Sequence, residues 1–203
     1  MPGEIKALLF DMDGVLVDSK DSWLAALNEA MGAYGQPSIT KDEFMETYWG
    51  DDLKVILKNM GLPLGISDFC LSTYPNHTGA VTVFQETRIV LEMLDDYPKA
   101  VVTNTPSACT TQILDTYGLS PFFETVVTSD MVDRGKPHPD MLLKACGDLG
   151  VDIGDCILIG DTKIDVEAGR NAGCPIVGIG VEGDMTIQSL SELPLALRRW
   201  SCR

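Results

Sequence analysis

Residues 6–19, KALLFDMDGVLVDS, hold an apolar run, Ala7 to Phe10, that stops on Asp11, with a second acid, Asp13, two positions later. A short apolar run bounded by polar residues reads as a buried strand that surfaces at its C-terminal end. In open α/β sheets that end is where ligands sit. Taken alone, the stretch also reads as a turn at Asp13-Gly14 with Asp11 as a solvated strand terminus. The rest of the chain decides between these readings.

The same design recurs. IKALLFD (5–11), PKAVVTN (98–104), TVVTSD (125–130) and DCILIGD (155–161) are apolar, largely β-branched runs ending on a polar residue, and CPIVGIG (174–180) follows them. Helical patterns lie between most of these runs, which predicts an α/β fold with a parallel sheet wrapped by helices. In SACTTQILDTYG, Ser107 is the expected N-cap and Gly118 the stop. Met141, Leu142, Ala145 and Leu149 have helical spacing, and DVEAGRNAG continues the alternation after Asp161.

One interval, between the first and second strands, is far longer than a crossover helix requires. Trp23, Leu27, Met31 and Tyr34 share a helical face that stops at Gly35. Thr40 and Glu43 have capping-box spacing ahead of Phe44 and Tyr48. Leu53, Ile56, Leu57 and Met60 form another stripe ending at Gly61. Stripes of this kind are core-facing. The expectation is a small helical subdomain, residues 18–83, inserted into a core domain made of residues 1–17 and 84–203.

Composition narrows the function. The 203 residues are 45% hydrophobic and 22% charged, as in soluble globular domains. No apolar run reaches the roughly 18 residues of a membrane span. The start, MPGEIKALLF, lacks the basic opening and cleavage site of a signal peptide, so a cytoplasmic protein is expected. The six cysteines include no C-x-x-C pair and read as reduced, buried small hydrophobes. A net charge of -15 repels polyanions and argues against nucleic acid, while a bound cation and a lysine can still attract a small anion. His77 and His138 read as loop residues, since neither has a partner at metal-ligand spacing.

If the strands are neighbours, their polar ends converge on one rim: Asp11 and Asp13, Thr103 and Asn104, Asp161 and Asp165, with Lys136 just beyond a further strand. Two carboxylates about 4 Å apart repel by about 4 kcal/mol at an effective dielectric near 20, so such a rim requires a cation. An all-oxygen set without histidine suits Mg²⁺. The chemistry that uses every part is phosphoryl transfer. An ionised aspartate attacks phosphorus, a second carboxyl protonates the leaving alkoxide and later activates water, and a hydroxyl, backbone N–H groups and a lysine hold the non-bridging oxygens.

DMDGVLVDS, VVTN, GKPHPD and GDTKIDVEAGRNAG resemble, in order, the four motifs of the haloacid dehalogenase superfamily, across nearly the whole chain. The resemblance implies a Rossmann-like core with an inserted helical cap that selects substrates. It implies Asp11 as the nucleophile forming an aspartyl-phosphate, and Asp13 as general acid/base with its carbonyl on the metal. It further implies Thr103, Asn104 and Lys136 as phosphoryl-binding groups, Asp161 as a metal ligand beside Asp11 and Asp13, and Asp165 as a supporting acid. Asp165 also reads as a favourable anion in a helix's first turn, and Asp18 and Ser19 as a cap hinge or a helix start.

The nearest group by resemblance holds phosphoglycolate phosphatases, small sugar-phosphate phosphatases and β-phosphoglucomutase. The expected function is therefore a Mg²⁺-dependent phosphatase acting on a small phosphorylated metabolite, with a β-phosphoglucomutase-like mutase or a pyrophosphatase as alternatives. A dehalogenase has no leaving oxygen for Asp13 to protonate, and a signalling receiver carries its acids in another order. In the cap, Gly50 stands where relatives have a substrate-loop glycine. The adjoining Asp51 and Asp52, with Leu53 where mutases carry arginine, disfavour a second phosphate, although Lys54 and Lys58 offset part of that charge.

Overall fold

A computed structural model describes residues 4–50 and 53–200. In chain order its first elements are β1 (Ala7–Phe10), β2 (Val17–Asp18), α1 (Lys20–Ala33), α2 (Lys41–Glu43), α3 (Leu53–Asn59), α4 (Gly65–Thr73) and β3 (Thr82–Val83). Next come α5 (Thr87–Met93), β4 (Lys99–Thr103), α6 (Ser107–Thr116), β5 (Thr125–Thr128) and α7 (Asp140–Leu149). The chain ends with β6 (Cys156–Gly160), α8 (Lys163–Ala172), β7 (Ile176–Ile179), β8 (Met185–Ile187) and α9 (Leu193–Trp200). The chain divides into two compact units, one of them Asp18–Thr82 and the other the remainder.

The larger unit is built on a six-stranded sheet in the order β5-β4-β1-β6-β7-β8, with every pair parallel. β1, β4 and β6 are buried on both faces, which is why their sequences are continuous apolar runs rather than alternating ones. β1 lies between β4 and β6, with Phe10 opposite Val101 on one side and Ile159 on the other. The strand order reverses there, so Asp11, Thr103 and Asp161 leave neighbouring strands at the point where open α/β sheets bind ligands. Helix α7 packs on β4 and β5, and α8 on β6 and β7. Ala145, Leu142 and Met141 of α7 and Val166 and Ala168 of α8 join Leu9, Val102 and Leu158 in one buried cluster. Each fully buried Leu, Val or Met there contributes about 1.5–3 kcal/mol from burial.

In the smaller unit α1 packs against α4, and the Trp23 ring stacks on Tyr74 at 3.8 Å. Leu27, Leu57, Ile66 and Tyr74 are its fully buried large side chains. Asn28 ties the following loop by bonds in both directions with the backbone of Ile39, at 2.7 and 3.0 Å. Thr40 and Glu43 form the reciprocal capping box that their spacing predicts.

Several local expectations are corrected. After the capping box the helix widens into a π turn over Phe44–Tyr48, where an ordinary helix is expected, while Phe44 and Tyr48 are buried as their spacing predicts. Met60 lies past the end of α3, half-exposed, where its sulfur accepts a bond from the Tyr48 hydroxyl at 3.4 Å. Ser107 is the first residue of α6 and not its cap. Pro106 holds that position, and the Ser107 hydroxyl and N–H both donate to Asp130 at 2.6 and 3.0 Å. The strand β8, and helices α4, α5 and α9, are further elements. The five described cysteines are free and buried, as expected. Among the described residues no helix is long and apolar enough to cross a membrane.

Candidate active site

All seven residues singled out at the strand ends lie in the larger unit. Asp11 follows β1 directly, and its N–H continues the ladder to the Ile159 carbonyl at 2.9 Å. Its Oδ1 accepts from the Met12 N–H at 2.7 Å. The chain then folds back: Leu16 and Val17 donate to the Met12 carbonyl, and Gly14 donates to that of Val17 at 2.8 Å. Gly14 sits in the left-handed region at φ 81°, and a Cβ there would collide with the carboxylate of Asp161. The glycine of D-x-D-G therefore serves both the tight turn and the approach of Asp161.

The end of β4 holds the second acid. Asp13 Oδ2 accepts from the Thr105 hydroxyl at 2.6 Å and from the Thr103 hydroxyl at 3.3 Å. The Thr105 N–H in turn donates to Thr103 Oγ1 at 3.1 Å. Both threonines are buried. The Asn104 amide is committed elsewhere: its Nδ2 donates to the Lys136 carbonyl at 3.0 Å and its Oδ1 accepts from the Lys136 N–H at 2.9 Å. This side chain holds the loop that carries Lys136.

Lys136 and Asp165 complete the set. The buried Lys136 Nζ lies 2.9 Å from Asp11 Oδ1 and 2.6 Å from Asp165 Oδ1. Asp165 has a second task at the start of α8. Its Oδ2 accepts from the Thr162 N–H and hydroxyl at 3.1 and 2.6 Å, while its own N–H donates to Thr162 Oγ1 at 3.3 Å. This is a capping box with Asp in place of the usual Glu. Gly160 leaves the space that Asp165 fills, since a Cβ there would overlap the aspartate side chain.

Asp11, Asp161 and Asp165 each offer an oxygen within 4.8 Å of the others. One ammonium, that of Lys136, pairs with Asp11 and Asp165, while Asp161 and Asp13 add further negative charge beside Asp11. Burial pushes the Asp11 carboxyl well above its ordinary pKa, against the pull of Lys136 and with the added repulsion of Asp165, Asp161 and Asp13. For Lys136 burial acts downward, but Asp11 and Asp165 outweigh it and hold the proton on the lysine. An oxygen-only set with surplus negative charge, with Asp11 and Asp165 buried and Asp161 partly so, fits a hard divalent cation. Asp13 is placed differently from these three: its carboxylate faces the threonine hydroxyls.

Thr105 and Thr162 are functional candidates that the sequence reading missed. The T-x-T spacing after β4 and the T-x-x-D spacing before α8 were the available signals. His77 pairs with Glu29 at 2.6 Å in the smaller unit, and the His138 N–H donates to the Gly135 carbonyl within the Lys136 loop. Asp18 accepts from the Lys20 N–H at 3.3 Å, a helix-start contact. Gly50 has φ 82°, and Lys54 pairs with Asp68 at 2.9 Å. The expected effect of Asp51 and Asp52 on substrate charge lies outside the described residues.

Comparison with known proteins bears on the family and the fold. Residues 8–179 match the haloacid dehalogenase-like hydrolase family. The chain is 31% identical to an N-acetylmuramic acid 6-phosphate phosphatase of Pseudomonas aeruginosa, over 83% of this chain and 79% of that protein. It is 31% identical to the pyrophosphatase PpaX of Bacillus velezensis, over 91% and 88% of the two chains. A phosphoglycolate phosphatase of Cupriavidus necator is 30% identical over 94% and 92%. Among solved structures, CbbY from Rhodobacter sphaeroides in complex with phosphate shares the fold, with TM-score 0.80 and 21% identity over 95% and 98% of the chains.

Proposed function

The chain belongs to the haloacid dehalogenase-like hydrolases, and from that premise we propose that it is a Mg²⁺-dependent phosphatase acting on a small phosphomonoester through an aspartyl-phosphate on Asp11. The observation that carries this reading is the pairing of buried Asp11 with Lys136, in one cluster with Asp161 and Asp165. The relatives named as phosphatases of small metabolites support the substrate class.

Asp11 is held by the Met12 N–H and by Lys136, which fixes its carboxylate for attack on phosphorus. Lys136 also supplies the positive charge that a phosphoryl oxygen needs. Asp13 is the acid that protonates the departing oxygen and the base that then activates water. Thr103 offers its hydroxyl to the phosphoryl group, and Asn104 sets the Lys136 loop on which that charge depends. Asp11 and Asp161 would hold the metal together with the Asp13 carbonyl, and Asp165 supports them through Lys136. Bound there, Mg²⁺ screens the anions and polarises a phosphoryl oxygen.

The inserted unit, Asp18–Thr82, is assigned the choice of substrate, as the helical cap does in the family it resembles. Reduced, buried thiols support a cytoplasmic setting. A pyrophosphatase is the second reading, favoured by the similarity to a pyrophosphatase. The deciding experiment assays a panel of small phosphomonoesters and pyrophosphate with Mg²⁺, using Asp11→Asn as control. Turnover of monoesters that is lost in Asp11→Asn supports the proposal. Turnover of pyrophosphate alone selects the second reading, and turnover that survives in Asp11→Asn overturns both.

A further inference from the structure

We propose that Thr105 is a positioning residue: its hydroxyl fixes the orientation in which the carboxyl of Asp13 faces the leaving group. The inference deepens the phosphatase reading and rests on Asp13 acting there as the acid.

The 2.6 Å bond from Thr105 Oγ1 to Asp13 Oδ2 is much shorter than the 3.3 Å bond from Thr103 to the same oxygen. Of the two hydroxyls, that of Thr105 therefore dominates the hold on the Asp13 carboxyl. The hydroxyl is buried and its backbone is tied at both ends. Its N–H is bonded to Thr103 Oγ1 at 3.1 Å, and its carbonyl accepts from the Thr110 hydroxyl at 3.1 Å. Such anchoring gives a short side chain one address, which is what orienting a second group requires.

A competition follows from the same geometry. Thr103 has one hydroxyl proton, and two acceptors lie on its side: Asp13 Oδ2 and, in the proposed reaction, a phosphoryl oxygen. With Thr105 holding Oδ2 at 2.6 Å, the longer 3.3 Å bond from Thr103 is the one that yields its proton to the phosphoryl group. Without Thr105, Asp13 recruits Thr103, turns toward it, and both functions suffer. The proton balance of the step is simple. Protonated Asp13 passes its proton to the bridging oxygen as the ester P–O bond breaks and the Asp11 O–P bond forms. In the second half the resulting Asp13 carboxylate takes a proton from the water whose oxygen bonds to phosphorus, as the Asp11 O–P bond breaks and inorganic phosphate leaves.

The test compares Thr105→Val, which keeps the shape and removes the donor, with Thr105→Ser, which restores it. Each is assayed on an alkyl phosphate, whose leaving group needs a proton, and on 4-nitrophenyl phosphate, whose leaving group does not. The expected result is a fall of about tenfold or more in kcat for the alkyl ester in Thr105→Val, a loss of about threefold or less for the aryl ester, and recovery in Thr105→Ser. Equal losses on both esters, or none on either, would overturn the proposal while the phosphatase reading stands. A wild-type protein that hydrolyses neither ester overturns that reading, and this inference with it. A crystal structure of Thr105→Val gives the second measurement: Asp13 is expected in a changed side-chain orientation, and an unmoved carboxyl counts against positioning.

Discussion

Lys136 and Asp165, 29 residues apart in sequence, meet with Nζ 2.6 Å from Oδ1 while both side chains are essentially removed from water. Removing one partner of such a pair strands the other charge at a cost of about 3–5 kcal/mol. Lys136→Met leaves Asp11 and Asp165 facing each other without a cation. It is expected to lower the urea unfolding free energy by that amount in chelator, with part of the loss recovered when Mg²⁺ is added. Equal stability of variant and wild type in chelator would contradict this account of the charge balance.

Metal dependence is expected to be strict. Chelation should abolish phosphatase turnover, Mg²⁺ should restore it and Ca²⁺ should restore it poorly, because the larger ion takes a looser shell and misplaces the attacking carboxylate. In Asp161→Asn the Mg²⁺ concentration for half-maximal activity should rise by about tenfold or more. Isothermal titration calorimetry on both proteins checks the shift directly.

The two acids of the first motif separate by substitution. Asp11→Asn should reduce turnover by about a thousandfold or more, roughly 4 kcal/mol in the barrier. Asp13→Asn should be mildest on esters with good leaving groups, with phosphorylated enzyme accumulating as its hydrolysis slows. Intact-protein mass spectrometry after mixing with substrate detects the added phosphoryl group.

Gly14→Ala combines a left-handed backbone with a collision at the Asp161 carboxylate. The backbone term alone costs about 1–2 kcal/mol. The larger expected effect is on metal affinity, since Asp161 must retreat. Circular dichroism should show a retained fold while Mg²⁺ activation is lost, and activation at wild-type Mg²⁺ concentrations would refute the close approach.

In the smaller unit, burial, with a lesser contribution from Glu29, pushes the Cys70 thiol up to about 12. The folded value lies above the unfolded one, so the neutral thiol contributes stability below the ordinary thiol range, near 8.5. That contribution declines as pH rises from there through about 12. At pH 8 the native protein should leave Cys70 unmodified by iodoacetamide over hours, and urea should expose it. Prompt labelling of the native protein, located by peptide mapping, would show that the thiol is not buried as described.

The strands were legible because a buried parallel strand has a plain signature. Ala7–Phe10, Ala100–Val102 and Cys156–Gly160 are continuous apolar runs, and the residues that follow them, Asp11, Thr103 and Asp161, are those the site then uses. Lys136 was legible only through its motif; nothing local distinguishes it from a solvated loop lysine, and its burial depends on Asn104, 32 residues away. Ser107 was misassigned because capping propensity says what a residue can bond, while Asp130 offered a better partner from another loop. The π turn after Glu43 has no marker in sequence, because its inward residues, Phe44 and Tyr48, keep the i, i+4 spacing of an ordinary helix. Thr105 lay two residues beyond a recognised strand end and went unread, because a hydroxyl's role is set by what stands opposite it.

The capping box at Thr162 and Asp165 ties helix formation to the ionic cluster through one carboxylate. One oxygen of Asp165 closes the first turn of α8 and the other meets Lys136. Fraying that turn withdraws an anion from the lysine at the same moment, so the two events share one opening free energy. A partial opening confined to the first turn of α8 would scarcely change far-ultraviolet dichroism, yet it would silence turnover. On gentle heating, loss of activity should then precede loss of ellipticity, and the interval between the two would measure how firmly that single turn is closed.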